Sequence, residues 1–147
     1  MDLVLLPDVE QVLSMFLRSL TEITDLVDQR VWTQLPGLKA GQEEWRFPCV
    51  RLVRIGGRPV LQRPLYIDRP LLQFDIWGGP KVEARTIAET CRAALAQAHT
   101  VAHDGAVISD AELGALAFLP DDDFLPPKPR YTFDAAVTLH PGPTTGS

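Results

Sequence analysis

Four places in the sequence carry residue types at spacings that could do chemistry. The first is Gly78-Gly79-Pro80-Lys81, between an alternating segment and an amphipathic one. A phosphate-binding turn there would aim backbone N–H groups at the anion and would end in Gly-Lys-Ser/Thr, to place an ammonium and a hydroxyl. Pro80 removes one N–H, and Val82 follows Lys81. The stretch therefore reads as a hinge, with two glycines for a sharp turn and a proline suited to the first turn of a helix. The second place is His99 and His103, four apart, which on one helix face could ligate a metal. Asp104-Gly105 marks a terminus there, and only Asp104 has ligand-like spacing, so a solvated helix end is expected. The third is Asp121-Asp122-Asp123, which could hold a hard cation but lacks the alternating spacing and the glycine of a calcium loop. Flanked by Pro120 and Pro126-Pro127, it reads as an exposed acidic loop able to dock on a basic surface. The fourth is the nucleophiles. Ser14 and Ser19 fall in the first helix, Ser109 has no G-x-S-x-G elbow, and Cys91 lies on an apolar helical stripe where an inert thiol is the default. No acid, base, nucleophile or ligand set converges. The expectation is a protein that is not an enzyme, with no catalytic residue, no cofactor and no metal.

The elements around these residues follow from periodicity. Val9, Val12, Leu13, Phe16, Leu17 and Leu20 keep helical spacing. Asp8 is placed as the N-cap, with Gln11 at the capping-box position. A short extended piece is expected over 30–34. The residues 42–46 read as an exposed loop, and "FPCVRLVRIGG" as a strand that ends in a turn at Gly56-Gly57. Pro59, Pro64 and Pro70 cut up the next stretch, which reads as a mobile arm or an edge excursion. Leu72, Phe74 and Ile76 alternate with Gln73, Asp75 and Trp77, as in a strand with one buried face. Ala84, Ile87, Ala88, Cys91 and Leu95 form a second helical stripe, with Glu83, Arg85, Glu89 and Arg92 on its wet side. "AVISDAELGALAFLP" is extended, with a bend or interruption near Asp110 to Gly114, and "RYTFDAAVTLHP" alternates throughout. The order predicts an α+β fold: a mostly antiparallel β-sheet with two α-helices packed on one face. Residues 1–140 form a single domain in this reading, and 141–147 a flexible C-terminal tail.

The chain has 147 residues, enough for one domain able to bury roughly 70% of its unfolded surface without staples. No apolar run approaches the ~18 residues of a membrane span, and the start has no basic segment of a signal peptide. Cys49 and Cys91, the only cysteines, are expected to be free and buried. A net charge of −5 argues against direct sequence-specific nucleic-acid binding, whose affinity rests on neutralising phosphates. The charge is uneven, however. Arg46, Arg51, Arg54, Arg58, Arg63 and Arg69 share one stretch, and the three aspartates lie far downstream. Such segments could meet across a subunit boundary.

The succession of an amphipathic helix, "RVWTQLPG", "FPCVRLVRIGG" and "RPLLQFDIWGGPKVEARTIAETCRAAL" resembles the tail-terminator (tail-completion) proteins of long-tailed bacteriophages and related gene-transfer particles. The resemblance covers Val9 to His140, and its motifs are structural. It implies a small α+β subunit that assembles into a ring, expected to be hexameric, on the head-proximal end of the tail tube. There it would stop tube polymerisation and offer the head-joining surface. It also implies a virion protein made in the host cytoplasm. Its partners would be itself, the tail-tube protein and a head-tail connector or head-completion protein, with no membrane. The residues put forward for these contacts are Arg54, Arg58, Arg63, Arg69, Trp77, Asp121, Asp122 and Asp123. Trp77 falls on the polar register of its strand, where closing the far face, a subunit contact and a core position all stay open. Two rival readings remain: a neck or head-closure protein, and a small-molecule-binding or enzymatic α+β domain, which would show a pocket with convergent polar groups.

Overall fold

A computed structural model describes residues 5–37, 43–62, 65–99, 101–103 and 105–141. The helices are α1 (Val9–Arg18), α2 (Thr21–Val27) and α3 (Lys81–Ala96). The strands are β1 (Val31–Trp32), β2 (Cys49–Gln62), β3 (Leu65–Trp77), β4 (Val101–His103), β5 (Ala106–Leu113), β6 (Ala117–Phe118) and β7 (Arg130–Pro141). They form one sheet in the order β1-β2-β3-β7-β5-β4, with β6 added to β7. Every pairing is antiparallel except β1 with β2. The α+β expectation holds, with one correction: the described residues form three α-helices.

The extra helix sits just beyond the first stripe. Asp8 caps α1 by accepting from the N–H groups of Glu10 (3.1 Å) and Gln11 (3.3 Å). Gln11 does not close a capping box; its amide turns toward Met15 Sδ at 3.2 Å. The chain breaks at Ser19-Leu20, and Leu20 becomes the N-cap of α2. Ile23 and Val27, four apart, bury the inner side of that short helix. Its β-branched content masked it in the sequence, because Thr, Ile and Val are indifferent helix formers that tertiary burial can overrule. Asp28 ends it at φ 54° and ψ −127°, a positive-φ conformation outside the left-handed helical region that aspartate favours.

The helices cover one face of the sheet. Val50, Leu52, Leu72, Phe74, Ile76, Tyr131, Phe133, Ala135, Val137 and Leu139 point to them and join the stripes of α1 and α3 in one core. At its centre Phe74 and Phe133, directly paired in register, stack with ring centroids 4.8 Å apart. Burying each large apolar side chain contributes roughly 1.5–3 kcal/mol. Arg92, expected on the wet side of α3, is half-buried. It donates to Gly114 O at 3.0 Å and lies over the Phe133 ring at 5.7 Å.

The proline-broken segment is not an excursion. β2 and β3 form one long antiparallel pair from Cys49↔Trp77 out to Gln62↔Leu65, through Pro59 and Pro70, with a single register shift between Arg54 and Gly56. The β3–β7 register skips residues 69–70, so Pro70 falls in the gap. Gly56-Gly57 is not a turn. It follows a β-bulge after Arg54, with Gly57 at φ 92°. A Cβ at Gly57 would strike the Arg69 carbonyl, which explains the glycine. A bulge admits an extra residue without ending the ladder, so the hairpin bends and continues.

The hinge reading of Gly78-Gly79-Pro80 survives in a slightly shifted form. Pro80 is the N-cap of α3, and Gly78 brings the chain against the helix, where an added Cβ would lie 2.6 Å from Ala84 N. Helix α3 ends at Ala96, so His99 and His103 share no helix face; His103 is on β4. β7 runs through Pro141, so the strand takes the first residue assigned to the tail; residues 142–147 lie outside the described set.

Candidate interaction surface

Of the residues put forward as contacts, the face of the sheet away from the helices carries Arg58, Arg69 and Trp77, and the loop of Asp121, Asp122 and Asp123 folds against it at Trp77. Arg54, opposite the core residue Leu72, is on the helix side. The rows of the far face come from the register: Arg51 opposite Asp75 opposite Thr132, and Val53 opposite Gln73 opposite Asp134. Asp75, only 3% exposed, takes Arg51 Nη2 at 2.7 Å and Gln73 Nε2 at 3.2 Å. A buried carboxylate needs such partners, since removing it from water costs several kcal/mol.

At one end this face is roofed by the segment 119–129. Trp77 is 1% exposed but stands outside the main core, alongside its register partner Cys49. Its Nε1 donates to Asp121 Oδ2 at 2.8 Å, and Arg51 and Arg130 lie 5.2 and 5.9 Å from its ring. Phe47 packs beside it with centroids 6.2 Å apart, and Phe124 meets Phe47 edge-on at 5.5 Å. Lys128 Nζ sits 4.3 Å over the Phe47 ring. Asp121 N and O pair with Lys128 O and N, closing the loop as a small hairpin, and Asp121 Oδ1 accepts from Asp123 N at 3.0 Å. This is a second, aromatic core beneath a clasped loop.

The contact residues thus divide. Trp77 and Asp121 are buried within this chain, and the acidic loop expected to be exposed is exposed only at Asp122 and Asp123. Asp121 is pulled in because its carboxylate is the acceptor for the indole N–H, which needs a partner once buried. Arg54 is bound to Asp68 by two bonds, Nη1–Oδ2 at 2.6 Å and Nη2–Oδ1 at 2.9 Å, and Asp68 is 1% exposed. Its own N–H donates to Glu10 Oε2 on α1 at 2.8 Å, so it ties the bulge to the helix layer. Arg46, expected in an exposed loop, is 6% exposed and donates to Pro36 O at 3.0 Å. Arg58 and Arg69 are exposed and stand directly opposite each other on the hairpin. Arg63 lies outside the described residues. The residues missed by sequence reasoning are Asp110, Glu112 and Asp134, all exposed on the same far face as Arg58 and Arg69. The alternation of β7 was the signal for Asp134; the bulge in β5 between Ile108 and Asp110 hid the other two.

A groove of about 420 Å³ runs between α2 and α3. Phe16, Leu20, Ile23, Ala93 and Ala94 supply its apolar lining, and among the described residues Glu22, Thr90 and Gln97 its polar side chains. Among the described residues, no three His, Cys, Asp or Glu side chains gather as a metal site, and no helix is long and apolar enough to cross a membrane. Both cysteines are buried thiols with pKa pushed up to about 12 by that burial.

No protein-family model matches the chain. No curated protein matches it either. A solved chain of the virion of the native gene transfer agent (GTA) particle shares its fold. The two superpose with a TM-score of 0.60 at 10% identity, over 90% of this chain and 93% of that one. The likeness is one of fold, and it takes in nearly the full length of both chains.

Proposed function

We propose that this chain is a structural, non-enzymatic subunit of a phage-like virion. It acts as a tail terminator, forming a ring on the head-proximal end of the tail tube, where it stops polymerisation and presents the surface that joins the head. The observation that carries the reading is the near full-length fold likeness to a chain of the gene transfer agent virion. The sequence resemblance to tail-completion proteins supplies the finer position, and a hexamer is the ring size it implies.

The physics of the role suits the architecture. Rings stacked by head-to-tail contacts extend indefinitely unless one subunit type offers a tube-like face and a second face that recruits nothing more. Such a cap stabilises no transition state; it needs a rigid brick with differing surfaces. Here one face of the sheet is sealed by helices, and the other is polar and charged with a clasped loop at one end. Tube subunits polymerising in the presence of excess purified protein test the reading. Shortened tubes with the protein at one end, seen by electron microscopy, are expected. An unchanged length distribution at excess protein would refute it.

A further inference from the structure

The exposed far face is electrically divided. On the hairpin, Arg58 stands opposite Arg69, and both are exposed. Like charges directly opposite in a sheet destabilise it. Neither arginine makes an ion pair among the described residues. On the other side, Asp110 stands opposite Thr138 and Glu112 opposite Ala136, and Asp134 lies further along β7. These three carboxylates are exposed and equally without a cationic partner there. Arg69, Asp110, Glu112 and Thr138 line one shallow depression, yet no ion pair closes across it. The reason is distance. β3 and β2 lie two and three strand spacings from β5, roughly 10 and 14 Å between backbones, and the side chains that line the depression do not close that gap with an ion pair. Exposed and unpaired, both patches are open to a counter-charge from outside the chain.

Each patch also borders an open edge. β1 covers β2 only at Val50 and Arg51, and β4 covers β5 only at Ala106, Val107 and Ile108. Past Arg51, Glu10 accepts from the Arg54 N–H, and the Arg54 side chain donates to the Gly56 and Gly57 carbonyls. Among the described residues, β2 beyond Gly57 and β5 beyond Ile108 have no strand on their outer sides, at opposite ends of the sheet order. Bulges on both edges, and Pro59 on one, oppose a continuous new ladder, so side chains must carry a contact there. Ile55, 50% exposed at the β2 bulge, adds apolar surface beside Arg58.

From the charge complementarity and the opposed open edges, we infer that the Arg58/Arg69 side of one copy docks on the Asp110/Glu112/Asp134 side of a second copy of this chain, head to tail. The two patches differ, so the contact is heterologous, and repetition with a closing rotation makes a ring. The inference rests on the ring-forming reading above and names its subunit boundary. It also replaces the acidic half of the boundary expected from sequence, since Asp121 serves the internal clasp. Nucleic acid is the weaker occupant for the arginines, because acidic groups share their face and the chain carries −5 overall.

Reciprocal charge reversal tests it. The variants Arg58→Glu/Arg69→Glu and Asp110→Lys/Glu112→Lys are compared with wild type by sedimentation velocity at low and high salt, with circular dichroism as the control for folding. Wild type is expected to associate, less so at high salt, and each folded variant about tenfold more weakly or worse. An equimolar mixture of the two variants is expected to regain assembly, since an alternating array restores plus against minus at every boundary. Unchanged assembly by either folded variant, no recovery on mixing, or a wild type monomeric at every concentration overturns the inference. Loss of binding to a DNA duplex by the arginine variant, with sedimentation unaltered, also overturns it in favour of nucleic acid. The tube-length assay stays separate: tubes capped by a wild type that never self-associates would refute this boundary and leave the capping role standing.

Discussion

Replacing Arg54 by alanine should unfold the protein more readily than almost any other exposed-side substitution, although a third of its side chain reaches solvent. The structural reason is the carboxylate left behind. Asp68 is 1% exposed, and its two hydrogen bonds, at 2.6 and 2.9 Å, both come from Arg54. Removing one partner of a buried pair costs about 3–5 kcal/mol. The lower end applies here, because the Arg54 side chain is 32% exposed and water can reach part of the vacated space. A loss of about 3 kcal/mol in a domain of this size corresponds to a fall in Tm of roughly 6–12 °C. The mirror substitution, Asp68→Ala, should cost only about 1 kcal/mol, since the guanidinium keeps the Gly56 and Gly57 carbonyls at 3.1 and 3.4 Å and can turn to solvent. The double variant Arg54→Met/Asp68→Leu should return to within about 1 kcal/mol of wild type, as apolar isosteres of buried ion pairs commonly do. Urea and thermal unfolding followed by circular dichroism, with the m-value checked for constancy, measure all three. Equal losses for the two single variants, or an Arg54→Ala loss under 1 kcal/mol, would refute the reasoning that Asp68 is held in a dry site by this one partner.

Three further outcomes are expected. Gly57→Ala should lower Tm by several degrees, because φ 92° and the Arg69 carbonyl both oppose a Cβ, at about 1–3 kcal/mol; a neutral result in thermal unfolding would count against the bulge geometry. Asp121→Lys should destabilise the fold and quench or shift Trp77 fluorescence, whereas Asp122→Lys/Asp123→Lys should leave both unchanged; similar behaviour of the two would contradict the internal clasp. Cys49 and Cys91 should resist thiol reagents until the chain unfolds, and stability should fall as pH rises from about 9 to about 12. The sign follows from linkage: the unfolded thiols ionise near 9.0 while the folded ones hold their protons, so the unfolded state gains up to about 1.4 kcal/mol per pH unit for each cysteine. The Cys49→Ala/Cys91→Ala variant should lose that slope in alkaline denaturation curves.

Much of the architecture was legible because it is written in local period. The stripes Val9–Leu17 and Ala84–Leu95, and the alternation of Leu72–Ile76 and Tyr131–Leu139, place the same residues in the core that the fold buries. Helix α2 escaped because seven residues of largely β-branched or polar type carry too little periodic signal; Ile23 and Val27 matter only once α3 is beside them. The hairpin through Pro59 and Pro70 was illegible for a related reason. Whether a proline interrupts a ladder depends on which side its missing N–H faces, and that is a property of the sheet.

The candidate surface was legible in charge and illegible in pairing. By itself the sequence determined that arginines cluster between 46 and 69, that both cysteines sit on or beside apolar stretches, and that no catalytic constellation stands at a fixed spacing. Only the tertiary structure decided which charges are consumed inside. Arg54 meets Asp68 across the hairpin, Arg51 meets Asp75, and Trp77 draws in Asp121 from 44 residues away. Arg58, Arg69, Asp110, Glu112 and Asp134 are left on one open face. The physical reason is that ion pairing falls off within a few ångströms in screened water, so the fate of each charge is set by cross-strand register, which a one-residue bulge at Arg54 or at Ile108 resets without leaving a mark in composition.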